Sequence, residues 1–352
     1  KTFGTSSIMI GDTTTGTIDA ANYNTGVGVD VFAALTTGDS NLAVGYQALN
    51  ANTTGSFNTA LGENSLLLNT TGGTNTAVGS RSLDENTTGG SNTAVGQGAL
   101  NKNTTASNNT GIGQGALADN TTGDVNTAVG VSALGNNTTA SNNSAVGREA
   151  LFTNTTGASN TAMGNASLYY NTTAANNSAF GYQALFNNTT GAYNTGVGYK
   201  VLFDNTTGTR NVALGDSALE NNTTANDNTA FGSAALYLNT TGTQNTAVGA
   251  AALDANTTAD NNVAVGFNVL TANTTGAGNT AVGKSAMYTN TTGGGNTAIG
   301  IEALGVNTTA NYNTAIGLSA MAANTTGTRN TAAGASALAA NTTANDNTAF
   351  GY

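Results

Sequence analysis

The stretch Asn75-Thr-Ala-Val-Gly-Ser-Arg-Ser-Leu-Asp-Glu-Asn-Thr-Thr-Gly-Gly-Ser91 decides how this chain is read, because it recurs without insertion or deletion. Its opening returns as Asn58-Thr-Ala-Leu-Gly62 before it and Asn92-Thr-Ala-Val-Gly96 after it, each displaced by 17 residues. The same spacing holds from Asn24 to Asn347, and a worn copy stands at Ser7-Ile-Met-Ile-Gly11. The 352 residues are therefore a six-residue stub, twenty full repeats and the opening of another. The consensus is N-T-A-V-G-x-x-A-L-x-x-N-T-T-G/A-x-x, and positions within it are numbered here from 1 to 17.

A fixed repeat length is what stacking in register requires, one coil upon the next. Short β-compatible runs cut by Asn and Gly leave no stretch long enough for an ordinary helix. The expectation is an all-β chain: a parallel β-solenoid with one coil per 17 residues and about twenty coils. At the usual strand spacing of about 4.8 Å, that stack would reach on the order of 100 Å. Residues 1–40 read as degenerate N-terminal coils or a transition segment, since Thr13, Thr14 and Thr15 replace x-A-L and Phe32 occupies the Leu column; residues 41–352 read as the regular solenoid. The last copies stay close to consensus, so the carboxyl end is expected to continue into further coils or abut another subunit.

Composition narrows the chemistry. There is no His, Cys, Pro or Trp, charged residues are 7% of the chain, and the formal net charge is −10. Triads, thiolate or imidazole zinc sites and the usual haem ligations are excluded. The scattered basic residues form no cluster for a phosphate backbone, so no nucleic-acid partner is expected. No apolar run reaches the ~18 residues of a membrane span. Gly26-Val-Gly28 and Gly111-Ile-Gly113-Gln-Gly115 resemble pieces of a phosphate loop, but their glycines belong to repeat columns and no helix follows. Asp occupies no fixed column, which argues against a calcium array. No catalytic, cofactor or metal residue is assigned, and the chain reads as a non-enzyme.

Charge placement separates outside from inside. From Asp30 onward every Asp, Glu, Lys and Arg falls at position 6, 7, 10, 11, 16 or 17, and all 11 Tyr share these columns. Those positions are the solvent-facing corners. Position 4 is Val, Ile, Leu, Met or Phe in every copy except Ala333, and position 9 is Leu from Leu49 to Leu338 apart from Met287 and Met321. These two columns are the expected core, with Val78, Val95 and Ile112 in one and Leu83, Leu100 and Leu117 in the other. Position 3 is Ala or Gly after Met9, on the opposite side of the strand from position 4. Such a column either lets thin sheets approach inside the coil or forms a subunit interface. With so little core per coil we read it as an interface, so that Ala128→Asp would disrupt assembly more than Asp124→Ala. Gly at position 5 is read as a corner needing positive φ, whereas position 15, which accepts Gly or Ala, does not demand one.

These repeats resemble the 17-residue repeats of phage tail-fibre and surface-fibre proteins. They are more distantly similar to the YadA-like head of trimeric autotransporter adhesins, whose strand motif reads Asn-Ser-Val-Ala-Ile-Gly. The resemblance covers residues 24–352 and implies a left-handed parallel β-roll or β-helix, three chains around one axis, and a shaft or adhesive stalk outside the cell or on a virion. It carries over no binding residues. The expected partners are copies of the chain, as a homotrimer or end-to-end filament, and a cell-surface receptor or glycan met by the Tyr-bearing corners.

Two invariant Asn columns, at positions 1 and 12, are expected to form side-chain amide ladders. The second also fits the N-glycosylation pattern Asn-x-Thr at Asn52, Asn69, Asn86, Asn103, Asn120, Asn137, Asn154, Asn171, Asn188, Asn205, Asn222, Asn239, Asn256, Asn273, Asn290, Asn307, Asn324 and Asn341. The alternative function is therefore a heavily N-glycosylated surface filament, although sugars only about 5 Å apart would be crowded. A third reading, an ice-binding Thr face, is disfavoured because only one of the adjacent Thr at positions 13 and 14 can face outward.

Overall fold

The structure, a computed structural model, describes residues 6–11 and 20–352. The expectation for Thr13, Thr14 and Thr15 lies outside the described residues. Every regular element among them is a β-strand: β1 (Ile8–Gly11), β2 (Thr25–Gly28), and then one three-residue strand per repeat from Leu42–Val44 to Thr348–Phe350. No helix among the described residues is long and apolar enough to cross a membrane. The chain divides into two compact units, Lys1–Asn176 and Asn177–Tyr352. Each is a parallel β-solenoid in which successive coils are offset by 17 residues. In the first unit, Thr76 pairs with Thr93 and then Thr110, Ala77 with Ala94 and Gly111, and Val78 with Val95 and Ile112. The second unit keeps the same rule, Thr229 facing Thr246 and Phe231 facing Val248. Copies at Ser7 and Asn24 join in the same register, Ile8 opposite Thr25.

The strands are short because position 5 turns the chain. Its glycines have φ from +115° to +146°, a region closed to residues with a Cβ. A Cβ on Gly96 would stand 2.6 Å from the carbonyl of Gly113, so backbone contact with the next coil forbids it as well. Position 15 shows no positive φ, and Ala106 and Ala140 occupy it without difficulty.

Less expected are the non-glycine left-handed residues at positions 7, 9 and 17 of most coils. Leu83, Leu100 and Leu117 have φ of 50°, 52° and 53° and are fully buried. The left-handed conformation costs roughly 1–2 kcal/mol per residue, and burying a Leu side chain returns about 1.5–3 kcal/mol. Burial therefore outweighs strain, which is why this column holds Leu where a turn alone would call for Gly or Asn. At exposed position 17 nothing offsets the strain. Val125, β-branched, has φ +59° and is more than half exposed. Val125→Asn, the residue found there at Asn108 and Asn142, should stabilise the first unit by about 1 kcal/mol, read as a rise in urea midpoint at unchanged slope.

Inside each coil lie positions 3, 8 and 9. Ala77, Ala94, Ala128, Ala99, Leu83 and Leu100 are all inaccessible to solvent. Position 9 is thus in the core as expected, but position 4 is not. Val78 and Val95 are half-buried on the outer side of the strand, and Ile112 is 40% exposed. Because side chains alternate across a strand, only one of positions 3 and 4 can point inward, and the interior has room only for the smaller. Even at Gly111 an added Cβ would lie 3.3 Å from Cγ of Leu100, and at Gly196 it would lie 3.0 Å from Cγ1 of Val201. The small column faces the Leu column of its own chain, Gly111 meeting Leu100 and Gly196 meeting Leu185 of the preceding coil, so the reading of position 3 as a subunit interface is also overturned. Ala128 packs within its own chain.

Candidate interaction surface

The inversion leaves an apolar column on the outside. Along the first unit, Leu61, Ile112, Val146 and Met163 are roughly two-fifths exposed; along the second, so are Val197, Phe231, Ile299 and Ile316. Position 2 shares this face, with half-buried Thr in most copies and Leu42, Val212 and Val263 in others. The outward strand face is therefore a strip of Thr and branched or aromatic apolar side chains. From Asp30 onward no charged residue stands anywhere in positions 1 to 5.

Charges sit on the corners and pair along the stack. Lys102 Nζ meets Asp119 at 2.8 Å, and Arg210 and Arg329 each grip the carboxylate one coil on, Asp227 and Asp346, through two hydrogen bonds. The guanidinium of Arg210 holds the Asp227 carboxyl below the usual carboxylate range. Burial pushes the Asp254 carboxyl upward, and its Oδ1 lacks a hydrogen-bond partner. No group of three or more Asp or Glu among the described residues is placed to hold a metal ion.

Aromatic residues stack on the same corners. Tyr182 and Tyr199 lie 5.5 Å apart and nearly parallel, as do Phe186 and Phe203 at 5.2 Å. Lys200 Nζ stands over the rings of Tyr199 and Phe203 at 5.7 and 5.2 Å. In the first unit Phe152 stacks on Tyr169, which meets Tyr170 edge-on.

The two Asn columns are ladders that converge on one carbonyl. Asn58 Nδ2 and Asn69 Nδ2 both donate to Gly72 O at 2.9 Å, while Asn69 Nδ2 also reaches Asn52 Oδ1 at 2.8 Å. Asn58 Oδ1 in turn accepts the backbone N–H of Asn75. All the Asn-Thr-Thr asparagines named above are fully buried except Asn341, which is half-buried. In the folded coil a sugar on Asn69 would have to leave through the amide nitrogen that holds Asn52 Oδ1 and Gly72 O. Of the adjacent threonines, the first donates its hydroxyl to the next coil, as Thr53 Oγ1 does to Thr70 O at 3.0 Å, and the second, such as Thr54, is exposed.

Compared with known proteins, the chain matches no protein-family model and no curated protein.

Proposed function

We propose that the chain is a structural fibre segment, a shaft or adhesive stalk working outside the cell or on a virion, that associates laterally with copies of itself through the outward strand face. One observation carries this reading. Position 4 is apolar in every copy although it faces outward, whereas the corner columns have diverged to Asp, Lys, Tyr and Ser. An outward column open to water has no physical reason to refuse polar residues. What covers it must repeat once per coil, and a second copy of the same solenoid has that period by construction. The uncharged face lets two chains of net charge −10 meet without like charges at the contact. Each coil offers on the order of 100 Å² of half-exposed Thr and Val surface, so about nine stacked coils per chain reach the ~800 Å² per partner of a standard interface. A homotrimer about one axis is the arrangement the fibre resemblance implies. The alternating Asn ladders and invariant coil length supply rigidity, which suits reach and involves no catalysis.

Sedimentation velocity tests the reading. The parent chain is expected to sediment as an oligomer, and Val78→Glu with Val95→Glu to yield a monomer with an unchanged far-ultraviolet spectrum. A monomeric parent at tens of micromolar would overturn lateral association.

A further inference from the structure

We infer that the second unit carries a subsite for a neutral pyranose sugar, walled by Tyr288 and floored by Gly305. A groove of about 470 Å³ opens there, within the roughly 300–1,000 Å³ range of small-molecule sites. It runs between the position-7 column, contributing Asn268, Ser285 and Glu302, and the position-10 column, contributing Tyr288, Gly305 and Ala322.

The groove exists because of a local departure from the aromatic stacking seen elsewhere. At position 10, Phe186 is covered by the ring of Phe203 on the next coil. Phe203 and Tyr237 are followed by Glu220 and Asp254, whereas Tyr288 alone among the position-10 aromatics is followed by glycine. Gly305 has no side chain to cover the phenol ring, and the next residue in the column, Ala322, has only a methyl. Tyr288 as a whole residue is 44% exposed.

The lining matches one ligand chemistry. A pyranose has an apolar C–H face, which stacks on a phenol ring, and a rim of hydroxyls that both donate and accept hydrogen bonds. Asn268 supplies an amide, Ser285 a hydroxyl and Glu302 an exposed carboxylate acceptor. No Lys or Arg lines the groove, so phosphate, sulfate and carboxylate groups find no counter-charge and face Glu302 instead. The groove lies on a corner, away from positions 2 and 4, and its occupancy is independent of whether copies associate.

Ligand-observed saturation-transfer NMR on the whole chain decides the matter, using galactose, glucose, N-acetylglucosamine, N-acetylneuraminate and choline as probes. At least one of the three neutral sugars should receive saturation, with a dissociation constant of about 1 mM as expected for so small a ligand. Gly305→Phe restores the ring that Phe203 places over Phe186, and should reduce the signal at least fivefold. Tyr288→Leu, a residue already accepted in this column at Leu67, should do the same while keeping the parent's circular dichroism. Loss of saturation in Tyr288→Leu alone supports the site if Gly305→Phe fails to fold. No neutral sugar saturated, equal saturation in folded variants, or choline or N-acetylneuraminate saturated in preference would overturn it. Since the parent's sedimentation is read separately, failure here leaves the fibre reading standing, and a monomeric parent leaves this site standing.

Discussion

Ala128→Asp is expected to unfold the coils around β-residues Thr127–Val129, while Val129→Asp, one residue further, leaves them folded. Ala128 is fully buried and its backbone strand is paired on both sides, with Gly111 and Ala145. A carboxylate placed there would press on the position-9 Leu column with no cation or donor in reach, and an unpaired buried charge costs several kcal/mol, of the order of 3–5. In a stacked-coil protein that loss is felt first by the nearest coils. Urea denaturation should show a lower midpoint or a separate early transition, and amide exchange should accelerate from about Asn109 to Asn160. Val129 faces outward and is half-buried, so its replacement by Asp should move stability by about 1 kcal/mol or less and act on association instead. Asp124→Ala, on an exposed corner, loses only the hydrogen bond that its Oδ1 accepts from the Ser107 N–H, and should cost about 1 kcal/mol or less and leave association unchanged. If Ala128→Asp keeps the parent's denaturation curve, the inward placement of position 3 is wrong.

Asn120→Asp should have an effect of similar size for a different reason. Asn120 Nδ2 donates to Asn103 Oδ1 at 3.0 Å and to Gly123 O at 3.0 Å, and its Oδ1 accepts from Asn137 Nδ2 at 2.8 Å. Aspartate has the same shape, but at neutral pH it turns two donor contacts into oxygen facing oxygen in a fully buried site. Losing both bonds and burying the charge should cost about 3–5 kcal/mol at pH 7. The sign of the pH dependence follows from linkage. Burial raises the folded-state pKa of this new acid above its unfolded value near 3.9. The deficit is therefore complete above the folded pKa and shrinks as pH falls through it, because the protonated acid regains one donor. Surface acids such as Asp227, held low by Arg210, move the parent the other way on acidification, so variant and parent must be compared at each pH. A deficit that does not shrink between pH 7 and pH 4 would mean the amide donors are not what holds the column.

The outside of the coil was legible from charge alone. Glu85, Lys102, Arg210 and Glu302 all stand on exposed corners, where the confinement of charge to six columns puts them, whereas the position-10 acid Asp84 keeps only 16% of its side chain exposed. The Leu column and the Gly at position 5 were equally readable, since a coil needs a core and a turn. At position 4 bulk and apolarity point to burial, yet the column faces outward. The better signal was constancy of size: position 3 admits only Ala and Gly after Met9, while position 4 ranges from Ala333 to Phe231. A column whose volume is tightly limited is packed on all sides, and one whose volume varies while its polarity does not is covered loosely, or by something outside the coil.

The groove at Tyr288 could not be read in advance, because it depends on which residues of neighbouring coils lie side by side. Asn268, Ser285 and Glu302 are each 17 residues from the next, and nothing in one dimension says that their column borders the one holding Gly305.

By itself the sequence determined the coil, its 17-residue period, the ladder-forming asparagines and the charged corners, because all of these follow from strict repetition acting on residue chemistry. Only the tertiary structure decided which side of a three-residue strand is the inside. That choice turns on the few ångströms between the strand and the Leu packed against it, where a methyl group fits and an isopropyl group does not.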